Sequence, residues 1–335
     1  MSVLVAGGAG YIGSHAVRQL LAKGKEVVVL DQLTTGHREA LPDEVHFYEG
    51  DLRDRTFVQQ MFAQESIDEV LMFAASSLVG ESVERPLAYF DNNVHGTEVL
   101  LEAMIDHGVR TIVFSSTAAV YGEPDEVPIV ETAKTEPTNP YGDTKRTMER
   151  MMKWCEEAHG LRYVSLRYFN VAGAAESGVI GEDHRPETHL IPIILEVALG
   201  KREAITIFGD DYPTPDGTCI RDYIHVEDLI DAHLLALEHL RKGNASDIFN
   251  LGSSNGFSVK EMIEAARKVT GHPIPQKIGE RRSGDPARLI ASSEKVKRTL
   301  DWQPSRTNVE KMIADAWMWH RKFPQGYEED GTNEN

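Results

Sequence analysis

Residues 2–14 read SVLVAGGAGYIGS, an apolar run followed by glycines at positions 7, 8, 10 and 13. The apolar run predicts a buried strand, and the helical spacing of Ile12, Ala16 and Leu20 predicts a helix that begins directly after the glycines. Glycine suits this turn because the backbone has to bend tightly and lie against a pyrophosphate at the helix N-terminus. The stretch therefore predicts a dinucleotide-binding βαβ unit, with Gly7, Gly10 and Gly13 at the phosphates.

Asp31 distinguishes between two nicotinamide cofactors. It ends the next predicted strand, Val27–Leu30, and lies 18 residues after Gly13. A carboxylate in this position accepts hydrogen bonds from ribose hydroxyls but would repel a 2′-phosphate, and the nearest arginine is Arg38. We therefore expect NAD as the cofactor, not NADP.

The first half of the chain alternates between strand and helix patterns. Further strands are predicted at Val45–Tyr48, Val70–Ala75, Thr111–Ser115 and Tyr163–Phe169, and the main helices between them at Pro86–His107 and Tyr141–His159. This alternation predicts an α/β fold with a Rossmann-type, doubly wound parallel sheet covered on both faces.

The second half is less regular, with a loop-rich stretch from 186 to 217. It predicts helices at Glu227–His239 and Ser258–Val269 and a strand at Asp247–Leu251. We expect an NAD-binding domain at residues 1–171 and a smaller α/β substrate domain at 172–335. Segments after residue 215 are candidates for returning to the first domain.

Composition narrows the range of partners. Of 335 residues, 53 are Asp or Glu and 35 are Lys or Arg, so the net charge of −18 argues against a nucleic-acid partner. The sequence contains no apolar run of the length that spans a membrane, and none is expected. Cys155 and Cys219 lie far apart, in no metal or redox spacing, so we expect plain thiols, a cytoplasmic protein and no metal site.

A second motif, NPYGDTK at 139–145, predicts catalytic residues. Tyr141 and Lys145 are four residues apart and share one face of a helix. A phenol titrates near pH 10, but an ammonium group and the positive nicotinamide ring nearby would lower its pKa enough for a general base. Thr117 follows the predicted strand Thr111–Ser115, at the edge where doubly wound folds bind ligands, and its hydroxyl can relay a proton to Tyr141.

With these residues, the chain resembles the extended short-chain dehydrogenase/reductase family, and within it the nucleotide-sugar 4-epimerases. The resemblance runs over nearly the whole length. It rests on GGAGYIGSH at 7–15, DNNVHGT at 91–97, YFN at 168–170, RDYIHVEDL at 221–229 and RRSGD at 281–285. It implies an isomerase that inverts carbon 4 of UDP-glucose and UDP-galactose through a transient 4-keto sugar, with bound NAD, and a homodimer.

The resemblance also implies which residues contact the ligands. Besides the glycine loop, Asp31 and the catalytic residues, the cofactor contacts it implies are Tyr11, Ile12, Asp51, Leu52, Phe73, Ala74, Ala75, Asn92, Ser115 and Tyr168. Besides Thr117 and Tyr141, the UDP-sugar contacts it implies are Asn170, His189, Leu190, Phe208, Arg221, Tyr223, Arg282, Asp285 and Leu289. Arg221 and Arg282 would supply forked donors to the diphosphate.

Three positions depart from the family pattern. Thr117 replaces a serine and keeps the hydroxyl, Ser77 replaces a lysine near the cofactor phosphates, and His189 replaces an asparagine at the substrate. Leu289 stands where a bulky tyrosine restricts the sugar pocket in other members, so acceptance of UDP-N-acetylglucosamine and UDP-N-acetylgalactosamine stays open.

Three other functions share part of this sequence pattern. A 4,6-dehydratase would need an Asp-Glu pair after Thr117, where this chain has Ala118-Ala119. An NAD-binding regulator would keep the glycine loop and lose the Tyr-x-x-x-Lys motif, which is present here. A 4-epimerase or a decarboxylase that acts on UDP-glucuronate stays an alternative, because the polarity of the sugar pocket decides which UDP-sugar is bound.

Overall fold

The computed structural model describes residues 1–282 and 286–327. Asp285, which the family resemblance places at the substrate, lies outside them. The strands are β1 (Ser2–Ala6), β2 (Glu26–Asp31), β3 (His46–Glu49), β4 (Glu69–Met72), β5 (Thr111–Ser115), β6 (Arg162–Tyr168), β7 (Asn170–Ala172), β8 (Ile205–Phe208), β9 (Ile220–Arg221), β10 (Tyr223–His225), β11 (Asp247–Leu251), β12 (Phe257–Ser258), β13 (Gln276–Gly279) and β14 (Arg288–Leu289).

The helices alternate with these strands in the first half of the chain. They are α1 (Tyr11–Ala22), α2 (Arg55–Gln64), α3 (Val79–Glu84), α4 (Pro86–Tyr89), α5 (Gly96–Asp106), α6 (Pro140–His159), α7 (Leu190–Ala198), α8 (Val226–Arg241), α9 (Val259–Thr270), α10 (Glu294–Leu300) and α11 (Val309–Lys322). None of them, within the residues described, is long and apolar enough to cross a membrane.

A seven-stranded parallel sheet forms the centre of the first compact unit. Its strand order is β11-β6-β5-β4-β1-β2-β3. The order reverses at β1, so the ends of β1 and β4 separate two halves of the sheet, and a doubly wound fold binds its ligands there. The predicted Rossmann-type fold is confirmed.

Apolar side chains cover both faces of this sheet. On one face, β-strand residues such as Leu4, Val70 and Ile112 pack against α2, α5 and α6 through residues including Met61 and Met104. Their strand neighbours on the opposite face are buried as well. Burial on both sides explains why the strands read as continuous apolar runs and not as alternating ones.

Two compact units divide the chain, and neither is continuous in sequence. Unit 1 contains Met1–Tyr168, Ile230–Leu251 and Ser292–Trp302. Unit 2 contains Phe169–Leu229, Gly252–Ala291 and the described residues from Gln303 onward. The assignment of a ligand to each domain stays a prediction.

Unit 2 has its own core. Helices α7, α9 and α11 pack together through residues that include Leu195, Ile263 and Ile313. Short strands form the pairs β10-β7 and β13-β8 and the set β12-β9-β14. These small sheets bring together segments that are far apart in sequence.

Two predicted elements differ from the structure. The strand expected at Val70–Ala75 ends at Met72, because the amides of Phe73 and Ala74 both turn back to the carbonyl of Ala6. The helix expected at Pro86–His107 contains a π-helical segment, Phe90–His95, between α4 and α5. A π-helical turn inside a helix often marks a functional position, and this one contains Asn92.

Candidate functional site

The glycine loop between β1 and α1 is shaped by Gly7 and Gly13. Gly7 has a φ of +79°, and a Cβ on Gly13 would lie 2.1 Å from the carbonyl oxygen of Gly7. Side chains are therefore excluded at both positions by the chain itself. Gly10 differs, since its Cβ would meet only the Gly7 oxygen, at an ordinary 3.5 Å. Packing within the chain does not require glycine at position 10. Close approach of a ligand to the start of α1 does require a glycine there, because a side chain would occupy the same space.

Asp31 connects the end of β2 to this loop. Its carboxylate accepts hydrogen bonds from the amides of Ala9 and Leu33, each at 2.9 Å. Burial raises the pKa of Asp31, and these backbone bonds oppose the rise. The carboxylate is thus fixed beside the glycine loop, where the sequence places the ribose of a dinucleotide.

Other predicted cofactor residues follow the ends of neighbouring strands. Phe73, Ala74 and Ala75 follow β4, and Asp51 and Leu52 follow β3. Because the carboxyl ends of parallel strands share one edge of the sheet, these residues lie at the edge that carries the glycine loop.

Polar contacts hold the segments that follow β3 and β4 in place. The Asp51 carboxylate forms an ion pair with Arg53, which also pairs with Asp91. Asn92 donates to the side chain of Asn93 at 3.0 Å. The Asn93 amide in turn bonds the backbone of Ser76 and the hydroxyl of Thr144. Asn93 therefore joins the segment after β4 to α6.

The catalytic residues lie on α6 and just after β5. Asn139 caps α6 by accepting from the Gly142 amide at 2.9 Å, and Pro140 occupies the first turn. A Cβ on Gly142 would lie 2.6 Å from the carbonyl oxygen of Ala119, so glycine lets α6 approach the turn that begins at Thr117. This close approach brings Tyr141 next to Thr117.

Tyr141 and Thr117 are joined by a hydrogen bond between their hydroxyls. The Thr117 oxygen already accepts from the Ala119 amide at 3.1 Å. Its own hydrogen is therefore free to point at the phenol oxygen, the direction that stabilises a phenolate. The structure brings together two of the three predicted catalytic side chains in this way.

Lys145 is the third, and its amine takes a different partner. The Nζ atom donates to the carbonyl oxygen of Ser115 at 2.9 Å and lies 6.0 Å from the centre of the Tyr141 ring. The hydroxyl of Ser115 lies 2.8 Å from Nε2 of His233, whose ring also contacts Phe73 and Tyr168. The end of β5 thus contacts Lys145 directly and is linked to Tyr168, at the end of β6, through His233.

Burial has the largest effect on the pKa values of Tyr141 and Lys145. Burial raises the pKa of Tyr141 to about 12, and the bond from Thr117 lowers it only in part. Burial lowers the pKa of Lys145 to about 7, against the opposing effect of Glu149. The expected lowering of the phenol pKa depends on the nicotinamide ring as well as on Lys145, and it stays a prediction.

The predicted substrate residues of unit 2 come together in pairs. Arg221 on β9 lies opposite Leu289 on β14, and Tyr223 on β10 lies opposite Asn170 on β7. The two members of each pair are far apart in sequence, yet the small sheets make them neighbours.

The third pair is a cation–π contact. The guanidinium of Arg282 lies 4.2 Å from the centre of the Phe208 ring, which is 39% exposed. The exposed aromatic face is suited to stacking on a base, and the arginine keeps donors available for an anion.

His189 and Leu190 occupy the start of α7, with His189 as its N-cap. The Nδ1 atom of His189 lies 2.8 Å from Glu182 and 3.3 Å from Glu187. Burial lowers the pKa of His189, but these two carboxylates outweigh it and raise the pKa to about 10. From the sequence, His189 was predicted to contact the substrate in place of an asparagine. Its two acidic neighbours, Glu182 and Glu187, were not predicted.

Sequence reasoning also missed two buried polar anchors. Asp222, inside the RDYIHVEDL motif, is 1% exposed and accepts from Ser253 and from the amide of Ala291. Glu149 accepts from Arg167 and Ser116 and lies one turn after Lys145. For Glu149 the signal was available, since an acid at i+4 from a catalytic lysine shares its helix face.

Comparisons with known proteins agree with this geometry. Residues 3–252 match the model of the NAD dependent epimerase/dehydratase family. The chain belongs to that family. A UDP-glucose 4-epimerase of Halalkalibacterium halodurans is 61% identical, over 98% of both chains. A solved UDP-glucose 4-epimerase superimposes with a TM-score of 0.97 at 57% identity, over 98% of this chain and 100% of that one. Another from Bifidobacterium longum, solved with NAD+ and UDP, has a TM-score of 0.93 at 41% identity, over 98% and 100%.

The cofactor of this epimerase/dehydratase family member is NAD, as the sequence predicted. The described residues fit it in two respects. The open position at Gly10 leaves the start of α1 accessible to a pyrophosphate, and the fixed carboxylate of Asp31 is a hydrogen-bond acceptor for ribose.

Proposed function

We propose that this enzyme is an isomerase that interconverts UDP-glucose and UDP-galactose by inverting carbon 4 of the sugar. The observation that carries the proposal is the hydrogen-bonded Tyr141 and Thr117, with Lys145 one turn along the same helix, at the strand edge that carries the glycine loop. Similarity to the UDP-glucose 4-epimerases described above supports this substrate over the alternatives.

We propose that each of the two units binds one of the two ligands. Unit 1 binds NAD through the glycine loop, Asp31 and the predicted residues at the strand ends. Unit 2 binds the UDP-sugar, and its predicted contacts form the pairs described above. When bound, NAD supplies a hydride acceptor and donor and a positively charged ring that favours a nearby phenolate.

Tyr141 acts as the general base. As a phenolate it takes the proton of the 4-hydroxyl, directly or through the hydroxyl of Thr117, and returns it after the sugar has turned over. Since burial raises the pKa of Tyr141 in the chain alone, positive charge is needed beside the phenol at the moment of reaction. Lys145 can contribute that charge, because a buried anion nearby raises the proton affinity of its amine.

Arg221 and Arg282 are proposed to hold the diphosphate. Their forked donors match phosphate oxygens. Holding the diphosphate in place while the keto sugar rotates lets both faces of carbon 4 be presented to the same cofactor.

The function is tested with purified enzyme and UDP-galactose, followed by NMR. We expect UDP-glucose to form without added cofactor, and no deuterium at carbon 4 when the solvent is D2O, because that hydrogen leaves and returns as hydride. Turnover of UDP-glucuronate in place of UDP-galactose would overturn the proposal.

Gly10→Ala tests the cofactor site. We expect wild-type enzyme to purify with NAD or NADH bound and the variant to lose it while keeping its fold, because the added Cβ has space in the chain but not against a pyrophosphate. Released nucleotide and circular dichroism measure the two effects. Gly80→Ala is the matched control, since its Cβ would meet no described atom within 4 Å. Activity that requires added NADPH would contradict the assignment.

Leu289→Tyr tests substrate breadth. We expect wild-type enzyme to epimerise UDP-N-acetylglucosamine at a measurable rate beside its main activity, since Leu289 is smaller than tyrosine. The variant should lose the N-acetyl reaction and keep the reaction of UDP-glucose. Both rates are measured by NMR at equal enzyme concentration. Equal loss of both reactions, or no N-acetyl turnover in wild type, would show that Leu289 does not control access.

A cytoplasmic homodimer is also proposed. Trp154 on α6 is 62% exposed and Leu87 on α4 is 82% exposed, and the proposed partner copy would cover these apolar side chains. Light scattering of the purified protein measures the oligomeric state, and a monomer at micromolar concentration would contradict the dimer.

A further inference from the structure

Four side chains of one short segment of unit 2 direct their donor atoms toward a common point. They are Glu182, His184, Glu187 and His189, here called the 182–189 cluster. One ligand atom from each lies within 4.8 Å of all the others. Three of the four, Glu182, His184 and Glu187, line a cavity of about 170 Å³ whose wall also contains Trp319 and His320.

The two histidines face the same carboxylate. The Nδ1 atom of His189 lies 2.8 Å from Glu182, and that of His184 lies 3.3 Å from the same carboxylate oxygen. Both Nδ1 atoms are buried, and both also face the carboxylate of Glu187, at 3.8 Å from His184 and 3.3 Å from His189. The donor atoms of all four side chains therefore converge, as the ligands of a single metal ion do.

The distances from the histidines to the carboxylates are close to those around a small tetrahedral metal ion. Ligands about 2.0–2.2 Å from Zn²⁺ in a tetrahedron are separated from one another by about 3.3–3.6 Å. Across the cluster, each histidine Nδ1 lies 2.8–3.8 Å from each of the two carboxylates. Two imidazole nitrogens with two carboxylates suit Zn²⁺ better than Mg²⁺, which demands six oxygen ligands.

We propose that the 182–189 cluster is a binding site for a zinc-like divalent metal ion. All four ligands come from the protein, which is the arrangement of a structural site. Since His189 is the N-cap of α7, the ion would fix the segment that leads into this helix and into Leu190. The inference stands apart from the proposed reaction, because metal binding is measured without substrate.

The experiment measures zinc bound to purified, tag-free enzyme by mass spectrometry and by calorimetric titration with Zn²⁺. We expect one Zn²⁺ per chain, and affinity lower by about 10-fold or more in Glu182→Gln and His184→Asn, since loss of even a supporting group costs this much. His46→Asn is the matched control, because the His46 Nδ1 atom lies 3.1 Å from one carboxylate, Glu65, outside the cluster. The His46→Asn variant should bind Zn²⁺ as wild type does. Mg²⁺ should not compete with Zn²⁺ for the site in either protein.

Three results would overturn the proposal. They are no zinc binding by wild type, wild-type affinity in both cluster variants, or equal loss in His46→Asn. If the cluster variants do not fold, the visible spectrum of wild-type enzyme loaded with Co²⁺ decides instead. Intense bands of a four-coordinate ion are expected, and weak six-coordinate bands or none would contradict the site.

Discussion

Tyr141→Phe is expected to lower kcat with UDP-galactose by about 10²- to 10⁴-fold, the contribution of a positioned general base. The substitution removes only the hydroxyl that bonds Thr117 and leaves the ring in place on α6. The fold and the bound NAD should therefore be retained, and KM should change far less than kcat. Steady-state kinetics, with circular dichroism and released nucleotide, measure these quantities.

Tyr163→Phe is the matched control for this prediction. Burial raises the pKa of Tyr163 to about 12 as well, but its hydroxyl belongs to the beginning of β6, away from the carboxyl edge of the sheet. We expect its kcat to stay close to that of wild type. A wild-type rate in Tyr141→Phe, or a loss confined to KM, would show that another group is the base.

Glu149→Gln is expected to lower the free energy of unfolding by about 3–5 kcal/mol. Glu149 and Arg167 form an ion pair whose side chains are 6% and 4% exposed. The substitution leaves the guanidinium charge buried without its counter-charge, which costs far more than the pair itself contributes. Urea unfolding, followed by circular dichroism at constant NAD concentration, measures the change.

Two further variants test the cause of that loss. Glu310→Gln removes one partner of the exposed Lys268–Glu310 pair, and we expect a change below about 1 kcal/mol. Replacing both buried partners, with Glu149→Leu and Arg167→Met together, should recover much of the stability lost by Glu149→Gln. If the buried and exposed substitutions cost the same, the buried charge does not explain the effect.

The parallel sheet was predictable because its signals are local. A strand buried on both faces is a continuous apolar run, so β1 and β5 were predicted with the bounds that the structure has. Strand ends set by tertiary contacts were not predictable. The strand at Val70 was predicted three residues too long because Phe73 and Ala74 are as apolar as the strand before them, and only the Ala6 carbonyl decides where pairing stops.

In the candidate site, too, features set by local spacing were predictable and features set by tertiary contacts were not. The glycine loop, Asp31 and the Tyr141–Lys145 pair depend on spacing along the chain, so sequence alone could nominate them. The partner of the Lys145 amine could not be foreseen, since it is a backbone carbonyl on another element. The four acidic and imidazole side chains at 182–189 are close in sequence, but only the fold shows that their donor atoms converge.

The interleaving of the two units limits how such an enzyme can be recombined. Its junctions lie after Tyr168, Leu229, Leu251, Ala291 and Trp302. A chimaera made by a single exchange at residue 168 would pair β6 of one parent with β11 of the other, because β11 completes the sheet from a later part of the chain. A fragment that ended there would leave β6 with an unpaired edge, open to association with other chains. Under the proposed binding of the UDP-sugar by unit 2, substrate preference should be more readily altered by single substitutions within that unit than by exchange of whole domains.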